Sequence, residues 1–124
     1  MTNQCIFCQL DKNRIIAESE LTLTIMDEFP VSIGHTLILP KRHVSDFFEI
    51  TPDEHDEMFA ALDEARHLLK AEFKPDGFNI GINNGAAAGQ SIMHVHMHLI
   101  PRYIGDMEDP KGGVRGVIPE KQKY

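Results

Sequence analysis

The alternating histidine segment between Gln90 and Pro101 constrains the fold of this chain more than any other stretch. It carries His94, His96 and His98 at two-residue spacing, with apolar residues between them. Successive side chains of a β-strand point to opposite faces of a sheet. A strand here would bury one apolar face and present three imidazoles on the other, as the floor of a site.

Three aligned imidazoles allow three interpretations. They could converge on one metal ion, although no carboxylate lies within the segment to complete a catalytic metal site. They could instead supply a nucleophile and its helpers, because neutral imidazole attacks phosphorus to form a covalent intermediate that water can open. A second imidazole would then hold phosphoryl oxygens, and Ser91 could hydrogen-bond the leaving atom. The third interpretation is a chance cluster on a solvated strand, which the loop of small residues at 84–89 disfavours.

Periodicity over the rest of the chain predicts an α+β domain. Thr51 is a good N-cap, Pro52 suits the first helical position, and Glu54 falls at the third. Apolar residues at helical spacing continue this helix to Phe73, and Ser45–Phe48 is expected to form a short helical turn. Alternating or β-branched runs predict four further strands, at Ile15–Glu18, Leu21–Met26, Gly34–Pro40 and Phe78–Asn83.

Length and charge limit the possible classes of function. The 124 residues are most simply one domain, and the formal charge of −7 argues against nonspecific nucleic-acid binding. A small anionic ligand stays possible, because it responds to local donors more than to screened surface charge. No apolar run approaches the roughly 20 residues that cross a bilayer, and Met1–Cys5 lacks the basic start of a signal peptide. We therefore expect a cytoplasmic protein with no membrane or nucleic-acid partner, in which residues 103–124 form a C-terminal arm.

The chain has two cysteines, Cys5 and Cys8. In a cytosolic protein this spacing suggests metal or redox chemistry more than a structural disulfide, whereas two small buried hydrophobes are the plainer alternative. A closed zinc site would need two further ligands. Asp27 ends the second predicted strand, and from spacing alone it is most simply a turn residue.

The segment Gly89–Ile100 resembles the signature of the histidine triad (HIT) family, in which three histidines alternate with apolar residues. The similarity extends to Cys5–Cys8, Asp27 and Gly34–His43, which stand where members of the Hint-like branch carry matching residues. It covers nearly the whole chain up to about residue 102, and the tail at 112–119 resembles the ends of some prokaryotic members. The resemblance implies one HIT domain over residues 1–124. Its fold would be α+β, an antiparallel sheet of about five strands with one long helix and a short helix, in a two-fold homodimer.

The resemblance also implies an enzyme, a nucleotide hydrolase or transferase. It would act at the α-phosphorus of purine nucleotide (AMP or GMP) phosphoramidates or of dinucleoside polyphosphates. His96 would attack phosphorus to give a nucleotidyl-histidine, His98 would contact the phosphate, and Ser91 would face the leaving group. Asp27 would accept hydrogen bonds from both ribose hydroxyls, which replaces its interpretation as a turn residue. The other implied nucleotide-binding residues are Ile6, Phe7, Leu10, Met26, His35, Asn83, Gly89 and Gln90.

The resemblance gives the cysteines a role as well. Some members with this Cys-x-x-Cys bind a structural zinc whose other ligands would here be His43 and His94. Such a Cys₂His₂ set suits a closed, tetrahedral, non-catalytic zinc, and no catalytic metal is expected. Two other functions stay open on the sequence alone. One is a metal-dependent hydrolase that uses the triad as ligands, and the other is a nucleotide-binding regulatory protein with little turnover.

Overall fold

One antiparallel sheet and one long helix make up the core of the computed structural model, which describes residues 5–124. The sheet has the strand order β1-β2-β3-β5-β4. Its strands are β1 (Ile15–Glu18), β2 (Thr22–Met26), β3 (Thr36–Pro40), β4 (Gly77–Ile82) and β5 (Met97–Arg102). Helix α1 spans Pro52–Phe73 and packs against β2, β3 and β5. The predicted α+β fold, a five-stranded antiparallel sheet with one long helix, is confirmed. No helix within residues 5–124 has the length and apolar character needed to span a membrane.

Helix α1 begins as its capping signal predicts. The Thr51 hydroxyl accepts a hydrogen bond from the Glu54 backbone N–H at 3.0 Å, and the Glu54 carboxylate accepts one from the Thr51 N–H at 2.8 Å. Arg42 adds two bonds of 2.9 Å to the same carboxylate. Glu54 is therefore buried with all its charge paired, and it joins the loop after β3 to the start of the helix. The predicted short helical turn is a 3₁₀ turn at Phe47–Glu49.

The histidine segment departs from the predicted strand. β5 begins only at Met97, so His94 lies in a bend and His96 precedes the ladder. The prediction that all three histidines share one strand face was therefore wrong. The register pairs Ile38 of β3 with Met97, and β3 ends two residues later at Pro40, which has no N–H to extend the ladder. The Val95 N–H instead donates to the Val44 carbonyl, outside the sheet.

The two faces of the sheet bury two separate apolar clusters. Between α1 and the sheet lie Ile38, Val44, Met58, Ala65, Leu69, Val95, Met97 and Leu99. The opposite face is covered by the N-terminal turns, 3₁₀ segments at Ile6–Gln9 and Lys12–Arg14, and its cluster is Phe7, Ile25, Leu37 and Leu39. Along β5 the alternation places Met97 and Leu99 on the helix side, and so turns His98 toward the face of Phe7 and Leu37.

Residues 103–124 add no layer to the core, because each of them is half-buried or exposed. Two 3₁₀ turns, Gly113–Val117 and Pro119–Lys121, follow the sheet. The Tyr103 hydroxyl donates to the Ile33 carbonyl at 2.7 Å, and this bond ties the start of the segment to the loop before β3. The cationic groups of Lys111 and Arg115 lie 4.8 and 4.9 Å from the centre of the Tyr124 ring.

Candidate active site

A cavity of about 300 Å³ lies on the sheet face that carries Leu37 and His98. This volume is at the lower end of the range for small-molecule sites. Most of the residues selected from the sequence for catalysis or nucleotide binding line it. They are Ile6, Phe7, Asp27, His35, Asn83, Gly89, Ser91, His96 and His98.

The structure does not bring three of the selected residues to the cavity wall. Leu10 packs behind Phe7 in the apolar cluster, and Met26 ends β2 with its thioether sulfur 3.6 Å from the Thr36 hydroxyl. Gln90 is buried, and its side chain accepts from the Gly85 N–H and donates to two backbone carbonyls. It therefore holds the loop that precedes the histidines instead of facing the cavity.

Six further residues that no sequence pattern indicated also line the cavity: Arg14, Glu28, Phe29, Val31, Leu37 and Ile92. Two of them, Arg14 and Glu28, are charged. Arg14 precedes β1 and Glu28 follows β2, so only the pairing of those strands brings them together. The adjacency of Glu28 to Asp27 was the one signal available in the sequence.

The hydrogen bonding of His96 leaves one ring nitrogen available. Its Nδ1 lies 2.8 Å from the His94 carbonyl oxygen, which can only accept, so Nδ1 carries the proton in this bond. A neutral ring then keeps its lone pair on Nε2. The edge of the Phe7 ring packs against the imidazole with 5.1 Å between ring centres. His96 is 9% exposed, so an available lone pair lies at a nearly buried position on the cavity wall.

A chain of hydrogen bonds gives His98 the opposite tautomer. The Val31 N–H donates to His35 Nδ1 at 3.0 Å, so the proton of a neutral His35 lies on Nε2. That Nε2 is 2.9 Å from His98 Nδ1, which must accept. His98 therefore carries its own proton on Nε2. One histidine offers the cavity a lone pair, and the other offers an N–H donor.

Burial keeps the His35 and His98 rings uncharged. It lowers the pKa of His35. Burial, together with the nearby His96 and His35 rings, lowers the pKa of His98 to about 4, although the Asp27 carboxylate opposes this. At neutral pH both rings are therefore neutral, as the hydrogen-bond chain requires.

Asp27 has two roles in this geometry. Its Oδ1 accepts from the Phe29 N–H at 2.7 Å, which is the turn that spacing alone predicted. Its Oδ2 lies 3.4 Å from His35 Nε2, and the residue lines the cavity. The turn thus fixes a carboxylate beside the His35–His98 pair.

Small groups form the wall of the cavity that precedes the histidines. Gly89 has a φ of 99°, a left-handed conformation that favours glycine, and it ends a 3₁₀ turn at Ala86–Ala88. This turn brings the backbone of Gly89 and the side chain of Ser91 to the cavity. The cavity that His96 lines therefore also contains Ser91, which carries a hydroxyl donor.

The two cysteines, His43 and His94 form a separate cluster. The Sγ–Nδ1 distances are 3.5 Å for Cys5–His94, 3.6 Å for Cys8–His94 and 3.3 Å for Cys8–His43. A tetrahedral zinc with Zn–S near 2.3 Å and Zn–N near 2.0–2.1 Å separates sulfur from nitrogen by about 3.5 Å. These three sulfur–nitrogen distances therefore match a tetrahedral zinc, and all four ligand atoms lie within 4.8 Å of one another.

His94 has the protonation that a ligand in this cluster needs. Its Nε2 donates to the Pro40 carbonyl at 2.8 Å, which leaves the lone pair on Nδ1, the atom that faces the sulfurs. Burial lowers the pKa of this imidazole and favours its neutral form.

The triad as a whole does not converge on one metal position. In residues 5–124, two groups of potential ligands are close enough to hold an ion, namely the cysteine–histidine cluster and Asp27 with His35 and His98. His94 and His98 belong to different groups, and His96 belongs to neither. The geometry thus opposes the interpretation of the triad as three ligands of one catalytic metal.

Comparison with known proteins adds the following findings. The HIT domain family model matches residues 10–105. The chain is 40% identical over 103 residues to Protein hit of Bacillus subtilis, a match that covers 80% of this chain and 71% of that protein. A crystal structure of a HIT family protein from Bacillus anthracis superposes with a TM-score of 0.79 at 39% identity, covering 86% of this chain and 78% of the other.

Other relatives carry more specific names. The chain is 36% identical over 106 residues to adenylylsulfatase HINT3 of Arabidopsis thaliana and 33% identical over 97 residues to AP-4-A phosphorylase of Mycobacterium tuberculosis. These matches cover 82% and 77% of this chain but only 54% and 50% of the two relatives. A crystal structure of a Zn-bound histidine triad family protein from Mycobacterium smegmatis has a TM-score of 0.77 at 34% identity, covering 86% of this chain and 80% of that one.

Proposed function

The chain belongs to the HIT domain family, and we propose that it is a nucleotide hydrolase or transferase that acts at the α-phosphorus of a purine nucleotide. The single observation that carries the proposal is the pair of opposite tautomers on His96 and His98 in one cavity. A lone pair beside an N–H donor is what nucleophilic attack on a phosphoryl group requires. The names of the relatives from Arabidopsis and Mycobacterium, an adenylylsulfatase and an AP-4-A phosphorylase, support the same class of reaction.

In the proposed first step, Nε2 of His96 attacks the α-phosphorus. A P–N bond to the histidine forms while the bond from phosphorus to the leaving amine or phosphate breaks. Positive charge develops on the imidazole, and the His94 carbonyl that accepts from Nδ1–H stabilises it. The Nε2–H of His98 donates to a phosphoryl oxygen, and the Ser91 hydroxyl donates to the leaving atom. Water, or inorganic phosphate in a phosphorolysis, then displaces the histidine and restores the lone pair.

The remaining wall residues would bind the nucleoside. Asp27 accepts hydrogen bonds from the ribose hydroxyls, and Ile6 and Phe7 pack against the purine. Asn83 and the backbone of Gly89 contact the ribose and phosphate. Substrates of this kind are nucleotide phosphoramidates and dinucleoside polyphosphates, because both contain a leaving group on the α-phosphorus of a nucleoside monophosphate.

We also propose a structural zinc held by Cys5, Cys8, His43 and His94. Its support is the ligand spacing, the lone pair on His94 Nδ1, and the zinc in the Mycobacterium smegmatis relative. Such an ion would join the N-terminal turn, which carries Ile6 and Phe7 into the cavity, to the histidine segment. It supplies rigidity and no step of the reaction.

We propose a homodimer that uses β4, the last strand of the sheet, together with α1. The support is that β4 is an edge strand and that Ile80 and Phe59 are 48% and 42% exposed. We propose a cytoplasmic location, since a reducing compartment keeps Cys5 and Cys8 as free thiols that can bind a metal ion.

Product analysis with a panel of phosphoramidates and dinucleoside polyphosphates tests the function. The proposal expects nucleoside monophosphate as a product, and the His96→Ala variant should lose turnover while it still folds and binds AMP. Full activity of that variant would exclude the covalent mechanism. Tight nucleotide binding with no turnover over the whole panel would instead identify a binding protein.

A further inference from the structure

Two charged side chains on the cavity wall have no part in the proposed chemistry. Arg14 and Glu28 line the same cavity as Phe7, Asp27 and His96. Among the described residues that form this wall, Arg14 is the only lysine or arginine. Phosphate in the proposed site is held by histidine, serine and backbone groups, so Arg14 is not needed there. These two residues therefore call for a ligand group other than phosphate.

The Arg14 guanidinium is held in place by one hydrogen bond and keeps further N–H donors for a ligand. One guanidinium nitrogen, Nη2, donates to the Met26 carbonyl at 2.9 Å, and this bond holds the half-buried side chain against the end of β2. A guanidinium has five N–H donors. Within residues 5–124, the bond to Met26 is the one hydrogen bond that the Arg14 guanidinium makes, so its remaining donors are available at the cavity.

The carboxylate of Glu28, unlike that of Asp27, is free to bind a ligand group. Asp27 is held by the Phe29 N–H and lies beside His35, whereas Glu28 makes no hydrogen bond or ion pair with any other residue in the described range. It is exposed, and it lines the cavity next to the proposed ribose ligand. Arg14 and Glu28 are also not paired with each other, so each can meet a separate group on one ligand.

We propose that Arg14 and Glu28 read the edge of the base and select guanine over adenine. This inference rests on the proposed function, because it takes the ribose to lie on Asp27 and the purine against Phe7. Guanine presents two adjacent donors, N1–H and the 2-amino group, and two adjacent acceptors, O6 and N7. A carboxylate matches the donor pair and a guanidinium matches the acceptor pair. Adenine would turn its unprotonated N1 toward the carboxylate, which is repulsive.

The expected preference for GMP over AMP depends on how exposed Arg14 and Glu28 are to water. A good bidentate contact to a base discriminates by roughly 5- to 150-fold. Because Glu28 is exposed to water, we expect the lower part of this range, about 5-fold or more, in favour of GMP. IMP lacks the 2-amino group and should bind with an affinity between those of GMP and AMP.

Calorimetric titration of the full chain with GMP, IMP and AMP tests the inference. Glu28→Ala should lose most of the preference by weakening GMP about 5-fold or more, with AMP nearly unchanged. Glu28→Gln should move the preference toward AMP, because an amide can pair with adenine as both donor and acceptor. The matched control is Glu20→Ala, since Glu20 is an exposed glutamate in the turn between β1 and β2, away from the cavity wall. It should bind all three nucleotides as the unmodified chain does.

Two other outcomes separate the possible failures. Equal affinities for GMP and AMP, or an equal loss of both in Glu28→Ala, would overturn base selection while leaving the proposed function intact. If the folded protein binds none of the three nucleotides, the proposed function fails and the inference fails with it. Thermal melting of each variant checks that the chain is folded in every titration.

Discussion

The hydrogen bond from His35 to His98 should set the rate of the proposed phosphoryl step, and His35→Asn tests this. Asparagine can still accept from the Val31 N–H near the position of Nδ1, but it is too short to donate to His98 Nδ1 from the position of Nε2. The variant lacks the donor that lies 2.9 Å from His98 Nδ1 in the unmodified protein. Without this donor, nothing holds the proton of His98 on Nε2. The phosphoryl group would then meet a lone pair on Nε2 in every molecule whose His98 holds its proton on Nδ1.

The expected cost follows from the hydrogen bond that is lost. Leaving a partly buried nitrogen without its partner costs about 1–3 kcal/mol, which corresponds to roughly 5- to 150-fold in rate. His35→Gln is the matched control, because its longer amide reaches the position of Nε2 and can donate to His98. We expect it to retain most of the activity that His35→Asn loses.

Two measurements check this reasoning. Single-turnover kinetics give the rate at which the nucleotidyl-histidine forms, and ¹⁵N chemical shifts of His98 report which ring nitrogen carries the proton. An unchanged rate in His35→Asn, or an Nδ1–H tautomer of His98 in the unmodified protein, would refute the assigned role. A slower rate without a change in the tautomer would show that His35 acts by position alone.

Three other predictions concern zinc, stability and pH. Purified protein should contain about one zinc per chain by elemental analysis; Cys8→Ser should lower this content and the melting temperature, and His96→Ala should leave the metal content unchanged. Glu54→Ala should lower the free energy of unfolding in urea by about 1–3 kcal/mol, since it removes the carboxylate that accepts from the Thr51 N–H and pairs with the half-exposed Arg42, whereas the equivalent change at exposed Glu20 should have little effect. The pKa of His98 is 6.5 in the unfolded chain and about 4 in the folded one, so the unfolded state binds the proton first as the pH drops. The free energy of unfolding should therefore fall between pH 6.5 and pH 4. Urea unfolding at several pH values should show a smaller loss over this window in His98→Gln, and an equal loss would contradict the assignment.

Local signals predicted the elements whose determinants are local. The capping pattern at Thr51 located the start of α1, because the residues that satisfy the helix end are three positions apart. The alternation at 78–83 located β4 to within one residue at each end. The start of β5 could not be found in this way. It depends on Pro40, which lies far away in sequence, and on the bond between Val95 and Val44.

The candidate site likewise contains residues that local sequence patterns predicted and residues whose position depends on contacts distant in sequence. Within the family signature, Gly89, Ser91, His96 and His98 line the cavity whereas Gln90 and His94 do not. Asp27 also lines it, and its carboxylate makes the turn that its spacing indicated. Leu10 and Met26 have the apolar character expected of a base slot, but character does not decide which face of the chain meets the cavity. Arg14 and Glu28 lie at the cavity because of strand pairing, which no local pattern records.

The break in the strand explains how three equally spaced histidines come to differ. On a regular strand, His94, His96 and His98 would share one face and similar surroundings. The β5 ladder starts only at Met97. The rings of His94 and His96 therefore hydrogen-bond to backbone carbonyl groups that would pair with a neighbouring strand if the ladder began earlier. The carbonyl of Pro40 takes the Nε2 proton of His94, and the carbonyl of His94 takes the Nδ1 proton of His96. His98 lies inside the ladder and its tautomer is set by a side chain, His35. His94 is therefore left with a lone pair on Nδ1, His96 with a lone pair on Nε2 and His98 with an N–H on Nε2. A variant that extended the ladder back to residue 94 should lose both the proposed metal ligand and the proposed nucleophile.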